Sequence, residues 1–497
     1  MELIYQAVAA VFQIKALLLL MGGTFLGIVV GALPGLSATM GVAIVSPLTY
    51  SMDPFYGIIT LLGIYFGGIY GGSISAILLG IPGTPASVAS TMDGYAMARK
   101  GSAGTALGIS TISSFVGGQL SVVVLALVSF PIASFALSFG PREFLALAVF
   151  ALTAIANLSG PSLLRGLFSA ALGLLAASVG IDEVHGTSRF TFGEPNLMGG
   201  IQFIPVMIGL FALPESLQNI EQISRVARQS IKVSKILPSR QMLKSLIPAW
   251  LRSSVIGIIV GAIPGTGSDV GAIVGYSQGK NFSKQPEKFG TGFPEGLACA
   301  ESANNAATGG SLIPLLTLGI PGGAASAIIL GTFMIHGLKP GPLLLQNNAD
   351  LVYKIFAGAF AANIFMIIFG LLGANLFARV VNIPKTILSP IILLLCVVGS
   401  YAMRNLTFDV FVMFSSGILG YVMVKTDIPR PPLIIGLILG PFVESELARS
   451  LMVIKHHWLT FFTPISTVLW ILAVLPFLIP YFKRFSKRLR NKVGKPS

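Results

Sequence analysis

The 497 residues are 54% hydrophobic and only 10% charged, against about 25% charged in an ordinary soluble domain. Such a chain cannot cover itself with a solvated surface, which excludes a soluble globular protein and indicates a membrane protein. The formal charge of +14 does not point to nucleic acid, because the basic residues lie between apolar runs and form no continuous phosphate-binding face.

A helix needs about 20 mostly apolar residues to cross a bilayer. In chain order, runs that approach or reach this length are Leu17–Val30, Gly57–Leu79, Ala106–Phe130, Phe144–Leu158, Leu163–Val179, Tyr353–Phe377, Thr386–Met403, Phe408–Val424 and Leu459–Phe482. Shorter or Gly/Pro-interrupted runs at Ile201–Leu213, Val255–Ile263 and Leu433–Leu439 bring the expected total to roughly 10 to 14 segments. The sequence predicts an all-α polytopic membrane protein. Lys15 is the only basic residue ahead of the first run, and Ala32-Leu33-Pro34-Gly35 is a poor cleavage site, so a retained first span is expected. Arg225, Arg228, Lys232, Lys235, Arg240, Lys244 and Arg252 form one basic loop, and Lys483, Arg484, Lys487, Arg488, Arg490, Lys492 and Lys495 form a basic tail. Positive charge accumulates on the cytoplasmic side, which places the loop and the C-terminus there. Cys299 and Cys396 lack metal spacing and read as buried, inert thiols.

The chain repeats itself. Gly27-Ile28-Val29-Val30-Gly31-Ala32-Leu33-Pro34-Gly35 matches Gly257-Ile258-Ile259-Val260-Gly261-Ala262-Ile263-Pro264-Gly265, and Gly41 corresponds to Gly271. A second match follows in the same order, with Gly71-Gly72-Ser73 and Gly80-Ile81-Pro82-Gly83 against Gly309-Gly310-Ser311 and Gly319-Ile320-Pro321-Gly322. Two ordered matches divide the chain into a first membrane repeat (1–214), a basic cytoplasmic linker (215–252), a second repeat with C-terminal spans (253–482) and a basic cytoplasmic tail (483–497). The second half starts at a cytoplasmic loop whereas the first is preceded by almost no positive charge, so inverted repeats are expected.

Proline lacks an amide hydrogen and clashes with the preceding turn, while a following glycine lets the chain turn through conformations closed to other residues. In hydrocarbon such a break persists only where protein, ions or substrate satisfy the freed backbone groups. Four breaks occur, at Pro34-Gly35, Pro82-Gly83, Pro264-Gly265 and Pro321-Gly322. Amides at the helix starts beyond them suit a carboxylate. The substrate-binding expectation therefore covers these eight residues with Leu36, Ser37, Thr84, Ser87, Thr266, Gly267, Gly323 and Ser326. Asp269, Glu301, Asn304 and Asn305 supply hard oxygen ligands or a titratable group for a coupling ion, Na⁺ or H⁺, with Na⁺ at Asp269, Asn304 and Asn305 as the metal reading. No other cofactor is expected.

The spacings Gly27/Gly31, Gly257/Gly261, Gly63/Gly67 and Gly436/Gly440 read as close helix packing. Asp53-Pro54 and Asp93-Gly94 read as turns at membrane ends. His185, His336 and the pair His456-His457 form no metal set. Gly265-Thr266-Gly267-Ser268-Asp269 has no second mid-span aspartate for a carboxylate dyad. Gly279-Lys280-Asn281 is not a phosphate loop. No enzyme is expected.

Together, Gly31–Gly35, Gly71–Gly83, Asp93-Gly94-Tyr95, Gly261–Gly265, Glu301-Ser302-Ala303-Asn304-Asn305-Ala306-Ala307, Gly319–Gly322 and His336-Gly337-Leu338 resemble the large membrane subunit of the tripartite tricarboxylate transporters, nearly end to end. The resemblance implies a bacterial inner-membrane secondary transporter that imports carboxylates with an ion gradient. It also implies two partners, a small membrane subunit (TctB-like) and a periplasmic solute-binding protein (TctC-like). That family's pattern often carries a second glycine after the first Pro-Gly; Leu36-Ser37 stands there in this chain, and Gly267 keeps the glycine in the other half. A broken-helix anion channel is the competing expectation, and would show a continuous polar pore.

Overall fold

The computed structural model describes residues 2–158, 162–182, 185–221, 236–381, 383, 385–453 and 461–493. Its helices are α1 (Glu2–Val11), α2 (Ile14–Ala32), α3 (Ala38–Val45), α4 (Pro54–Leu79), the short turn α5 (Val88–Ser90), α6 (Ala103–Ala136), α7 (Pro141–Leu158), α8 (Leu163–Ala177) and α9 (Pro195–Met198). They continue as α10 (Phe203–Glu221), α11 (Arg240–Ala262), α12 (Gly267–Phe282), α13 (Pro294–Leu318), α14 (Ala324–Ile335), α15 (Pro342–Asn347) and α16 (Ala349–Leu372). The last are α17 (Ala374–Val380), α18 (Lys385–Ala402), α19 (Thr407–Lys425), α20 (Pro431–Val453) and α21 (Pro464–Val493). The one strand pairing among the described residues is a two-residue antiparallel ladder of β1 (Gly180–Ile181) and β2 (Ser188–Arg189). The protein is all-α in class.

Eight helices among the described residues are long and apolar enough to cross a membrane: α2, α4, α6, α10, α11, α16, α19 and α20. The interrupted runs grow into full-length members of this set. Helices α10, α11 and α20 carry Pro214, Pro248 and Pro441 inside them and extend into polar flanks where apolarity alone would have ended them. The run Tyr353–Phe377 is divided at Gly373 between α16 and α17. Leu163–Ala177 and Ile387–Ala402 remain shorter than a full crossing. Helix α10 reaches Glu221 and α11 begins at Arg240, so helix enters the basic linker from both sides. Arg225, Arg228, Lys232, Lys235, Lys495 and the His456-His457 pair lie outside the described residues.

The chain forms two compact units, residues 1–137 with 204–422, and residues 138–203 with 423–497. In the second unit α20 packs on α7 and α8. There Arg189 forms a two-pronged ion pair with Glu444, at 2.7 and 2.8 Å.

The first unit contains all four Pro-Gly breaks. Helix α4 starts where Asp53 accepts from the Phe55 amide at 3.0 Å with Pro54 in the first turn, a standard N-terminal cap. It stops at Gly80, whose φ of 70° only glycine adopts freely. Helix α13 begins with Pro294 and stops at Gly319, φ 72°, in the same way. These long central helices lie against α2 and α11 at backbone contact. A methyl added to Gly27 or Gly31 would meet the backbone of Ile64 or Gly68, and one added to Gly257 or Gly261 would meet that of Ala303 or Ala307. Gly63 and Gly67 face the backbone of Leu20 and Thr24, and Gly436 that of Ala170. Close packing of these glycines, as expected, replaces side-chain interdigitation by backbone-to-backbone van der Waals contact.

These contacts fix how the two halves correspond. Gly71 faces Ile28 and Gly310 faces Ile258, while Gly83 rests on the Gly31 carbonyl and Gly322 on that of Gly261. Gly71 therefore matches Gly310, and Gly72 matches Ser311. The letter match of Gly71-Gly72-Ser73 to Gly309-Gly310-Ser311 is corrected by one residue, because what repeats is the position that must lack a side chain against the neighbouring helix.

Candidate functional site

Each break opens a half-helix: α3 after Pro34-Gly35, the turn Pro85–Ser87 with α5 after Pro82-Gly83, α12 after Pro264-Gly265 and α14 after Pro321-Gly322. The breaks are brought together. The Gly267 amide donates to the Gly322 carbonyl at 3.0 Å, joining the two breaks of the second half. Across the halves, α12 packs against the Pro85–Ser87 turn and α5, and α14 packs against α3.

The cross-half contacts are reciprocal. Tyr276 of α12 donates its hydroxyl to Asp93 at 2.9 Å, and Ser46, just beyond α3, bonds to Thr332 of α14 at 2.6 Å. In the register set by the glycines, Ser46 corresponds to Tyr276 and Asp93 to Thr332. One contact is thus the other with the halves exchanged.

Much of the hydrogen-bonding capacity assigned to substrate is used by the breaks themselves. The hydroxyl of Ser37 accepts from the Met40 amide at 3.1 Å. Ser87 accepts from the Thr84 amide at 3.2 Å and donates to the Thr84 carbonyl at 2.8 Å. Ser326 does the same with Gly323, at 2.8 and 2.9 Å. Thr266 donates to the carbonyls of Val260 and, at 2.9 Å, Ile263, closing the end of α11. The amides of Leu36, Gly83 and Thr266 donate to Leu33, Gly72 and Ile263. The donors left for an anion are the remaining first-turn amides, such as those of Ala38, Thr39, Ala324 and Ala325, which have no partner within their own helix. They lie just beyond the residues singled out in sequence.

Asp269 lies at such a start. It is accessible to water yet enclosed by protein, as a side chain lining a crevice is, and the Ala86 amide of the first half points toward its carboxylate. Residues 86 and 269 adjoin, as do 93 and 276, so the two segments run side by side in the same direction from their starts.

Glu301, Asn304 and Asn305 belong to α13. All three are fully buried on one face of α13, at the i, i+3, i+4 spacing. Ser311, whose hydroxyl bonds to Tyr65 at 3.0 Å near Asp269, stands about 15 Å along α13 from Glu301. Asp269 thus belongs to the start of α12 and the other three to α13. Ser114 of α6 donates to Glu301 Oε2 at 2.9 Å and accepts from Asn305 Nδ2 at 2.7 Å.

A profile of the tripartite tricarboxylate transporter TctA family matches residues 17–435. The chain belongs to that family. It is 37% identical over 448 residues, 90% of its own length and 89% of the relative's, to an uncharacterised 52.8 kDa protein from the TAR-I ttuC' 3' region of Agrobacterium vitis. It is 38% identical over 228 residues, 44% of its length and 94% of the relative's, to an uncharacterised protein from the TAR-II ttuC' 3' region of the same organism. No solved structure matches the chain. As a TctA-family protein it is a multi-pass membrane transporter component, the large one of a tripartite system.

The fold of this TctA-family chain also uses residues that sequence reasoning passed over. Asn219 of α10 donates to the Gly35 carbonyl at 3.3 Å, holding the first break from outside. Asp93 does not form a turn at a membrane end. It is fully buried, and its Oδ1 accepts the amides of Gly290, Gly292 and Phe293 at 2.7–3.0 Å. A buried carboxylate needs such donors, and here they come from the loop ahead of α13. His185 pairs with Asp182 at 2.7 Å, and Cys299 and Cys396 are buried free thiols.

Proposed function

We propose that this chain is the permease subunit of an ion-gradient-driven, binding-protein-dependent secondary transporter. It imports a small carboxylate, a tricarboxylate or a relative of one, across the bacterial inner membrane, with its C-terminus in the cytoplasm. A small membrane subunit and a periplasmic solute-binding protein complete the system, and family membership supports both partners.

One observation carries the placement of substrate. Asp269 puts the chain's own carboxylate against the start of a half-helix from the other half, where the positive end of the helix and free amides favour an anion. In the repeat register Asp269 corresponds to Thr39 of α3, which faces α14. Thr39 is neutral. A substrate carboxylate at the first turns of α3 and α14 then takes the part that Asp269 plays on the other side. Halves of opposite orientation would let such tips exchange access between the two faces of the membrane.

The test is uptake of radiolabelled carboxylates into proteoliposomes holding the permease, its small subunit and the binding protein. Saturable uptake that requires an inward ion gradient is expected. Non-saturating, gradient-independent anion conduction would replace this reading with a broken-helix channel.

A further inference from the structure

The Glu301 carboxylate is surrounded by oxygen atoms from both halves of the chain. Besides Ser114, the hydroxyls of Ser73 on α4, Ser90 on α5 and Ser110 on α6 face it. All of them, with Asn304 and Asn305, are fully buried. Much of this polar lining is unpaired. Among the described residues, Glu301 Oε1, Asn305 Oδ1, both polar atoms of the Asn304 amide, and the hydroxyls of Ser73, Ser90 and Ser110 have no hydrogen-bond partner. Each such group costs of order 1–3 kcal/mol when buried dry, and the acceptor oxygens among them, though not the Asn304 Nδ2 donor, are groups that one bound cation can satisfy together.

We infer that this chamber binds one dehydrated monovalent cation, Na⁺ in class, and that it is the coupling site of the transporter proposed above, on which reading the word coupling rests. The unpaired atoms include three sp² oxygens, Glu301 Oε1, Asn304 Oδ1 and Asn305 Oδ1, and three hydroxyls free to turn their lone pairs inward. That is the hard, neutral-plus-one-carboxylate oxygen set that suits such an ion. Among the described residues Glu301 is the one carboxylate in it, so a single positive charge leaves the site neutral in a medium where net charge is costly. A proton placed on Glu301 would satisfy one acceptor and leave the remaining oxygens as they are. A divalent ion would leave a charge uncompensated.

The chamber also reaches the substrate tips. Ser90 belongs to the short segment that follows the Pro82-Gly83 break and its Ser87 cap, while Glu301 belongs to the other half. Drawing Ser73, Ser90 and Ser110 onto a cation held by Glu301 fixes that break against α13. Cation and substrate thereby raise each other's affinity, as linkage requires.

The experiment uses the full-length permease in detergent. ²²Na⁺ binding by scintillation proximity is measured alongside thermal stability in NaCl and in choline chloride of equal ionic strength. Wild type is expected to bind about one Na⁺ per chain and to melt higher in Na⁺. Glu301→Gln, near-isosteric, and Ser110→Ala, a milder change for the case that the first fails to fold, should each weaken Na⁺ binding about ten-fold or more. Absence of Na⁺ binding in folded wild type overturns the inference, as does unchanged binding in both variants. So does a stability that follows pH but not Na⁺, which would assign the chamber to a proton. Na⁺ bound without gradient-dependent uptake would sink the transport reading and leave the cation site standing.

Discussion

The Tyr276 hydroxyl donates to Asp93 Oδ2 at 2.9 Å, joining the half-helix of one repeat to the segment behind the second break of the other. Because Asp93 Oδ1 also gathers three loop amides, this carboxylate anchors both α12 and the entry to α13. Asp93→Ala leaves those amides unsatisfied and should cost about 3 kcal/mol or more. Tyr276→Phe removes one charge-assisted bond and should cost about 1.5–3 kcal/mol. Unfolding of the purified protein by heat, followed with a thiol-reactive dye, ranks the two.

The substrate placement predicts an opposite pair of effects at two corresponding positions. Thr39→Asp supplies the α3–α14 tip with a carboxylate of its own and should lower uptake at least about ten-fold with membrane insertion intact, whereas Thr39→Ser should stay near wild type. Uptake by the Thr39→Asp protein at the wild-type rate would remove that tip from substrate binding.

Asp269→Asn keeps the shape of the side chain and removes its charge from the α12 tip. The Glu301 site draws on Ser73, Ser90, Ser110 and Ser114 and not on Asp269, so the variant should alter the carboxylate KM and leave the affinity for Na⁺, measured without carboxylate, within about two-fold. A loss of Na⁺ affinity would return Asp269 to the ion site.

Backbone-to-backbone packing predicts sharp intolerance at the matched glycines. A methyl on Gly31 would overlap the Gly68 carbonyl, and one on Gly261 the Ala307 carbonyl. Gly31→Ala and Gly261→Ala should each destabilise by about 1–3 kcal/mol, whereas Gly22→Ala, with open space around it, should not. Melting temperatures of the three variants decide this.

What the sequence made legible follows from what local chemistry can announce. Pro34-Gly35 and its three counterparts stand out because a helix breaker in an apolar run has few other reasons to be there. Glu301, Asn304 and Asn305 stand out because an ionisable group in a span is rare. Ser73, Ser90, Ser110 and Ser114 do not, since a serine in an apolar helix ordinarily turns back to its own backbone and nothing local says that four of them meet one carboxylate. Asp93 was misread for the same reason. Its partners at Gly290, Gly292 and Phe293 are 197 to 200 residues away, and an Asp-Gly pair by itself signals a turn.

The central claim, a carboxylate transporter driven through these breaks, is tested most directly by initial uptake rates. Radiolabelled citrate and shorter carboxylates are presented to proteoliposomes of the complete three-component system, with and without an inward Na⁺ gradient. The account predicts saturable uptake of at least one carboxylate that collapses when the gradient is dissipated. Uptake at the same rate without any gradient, or a carboxylate current linear in concentration, would contradict it.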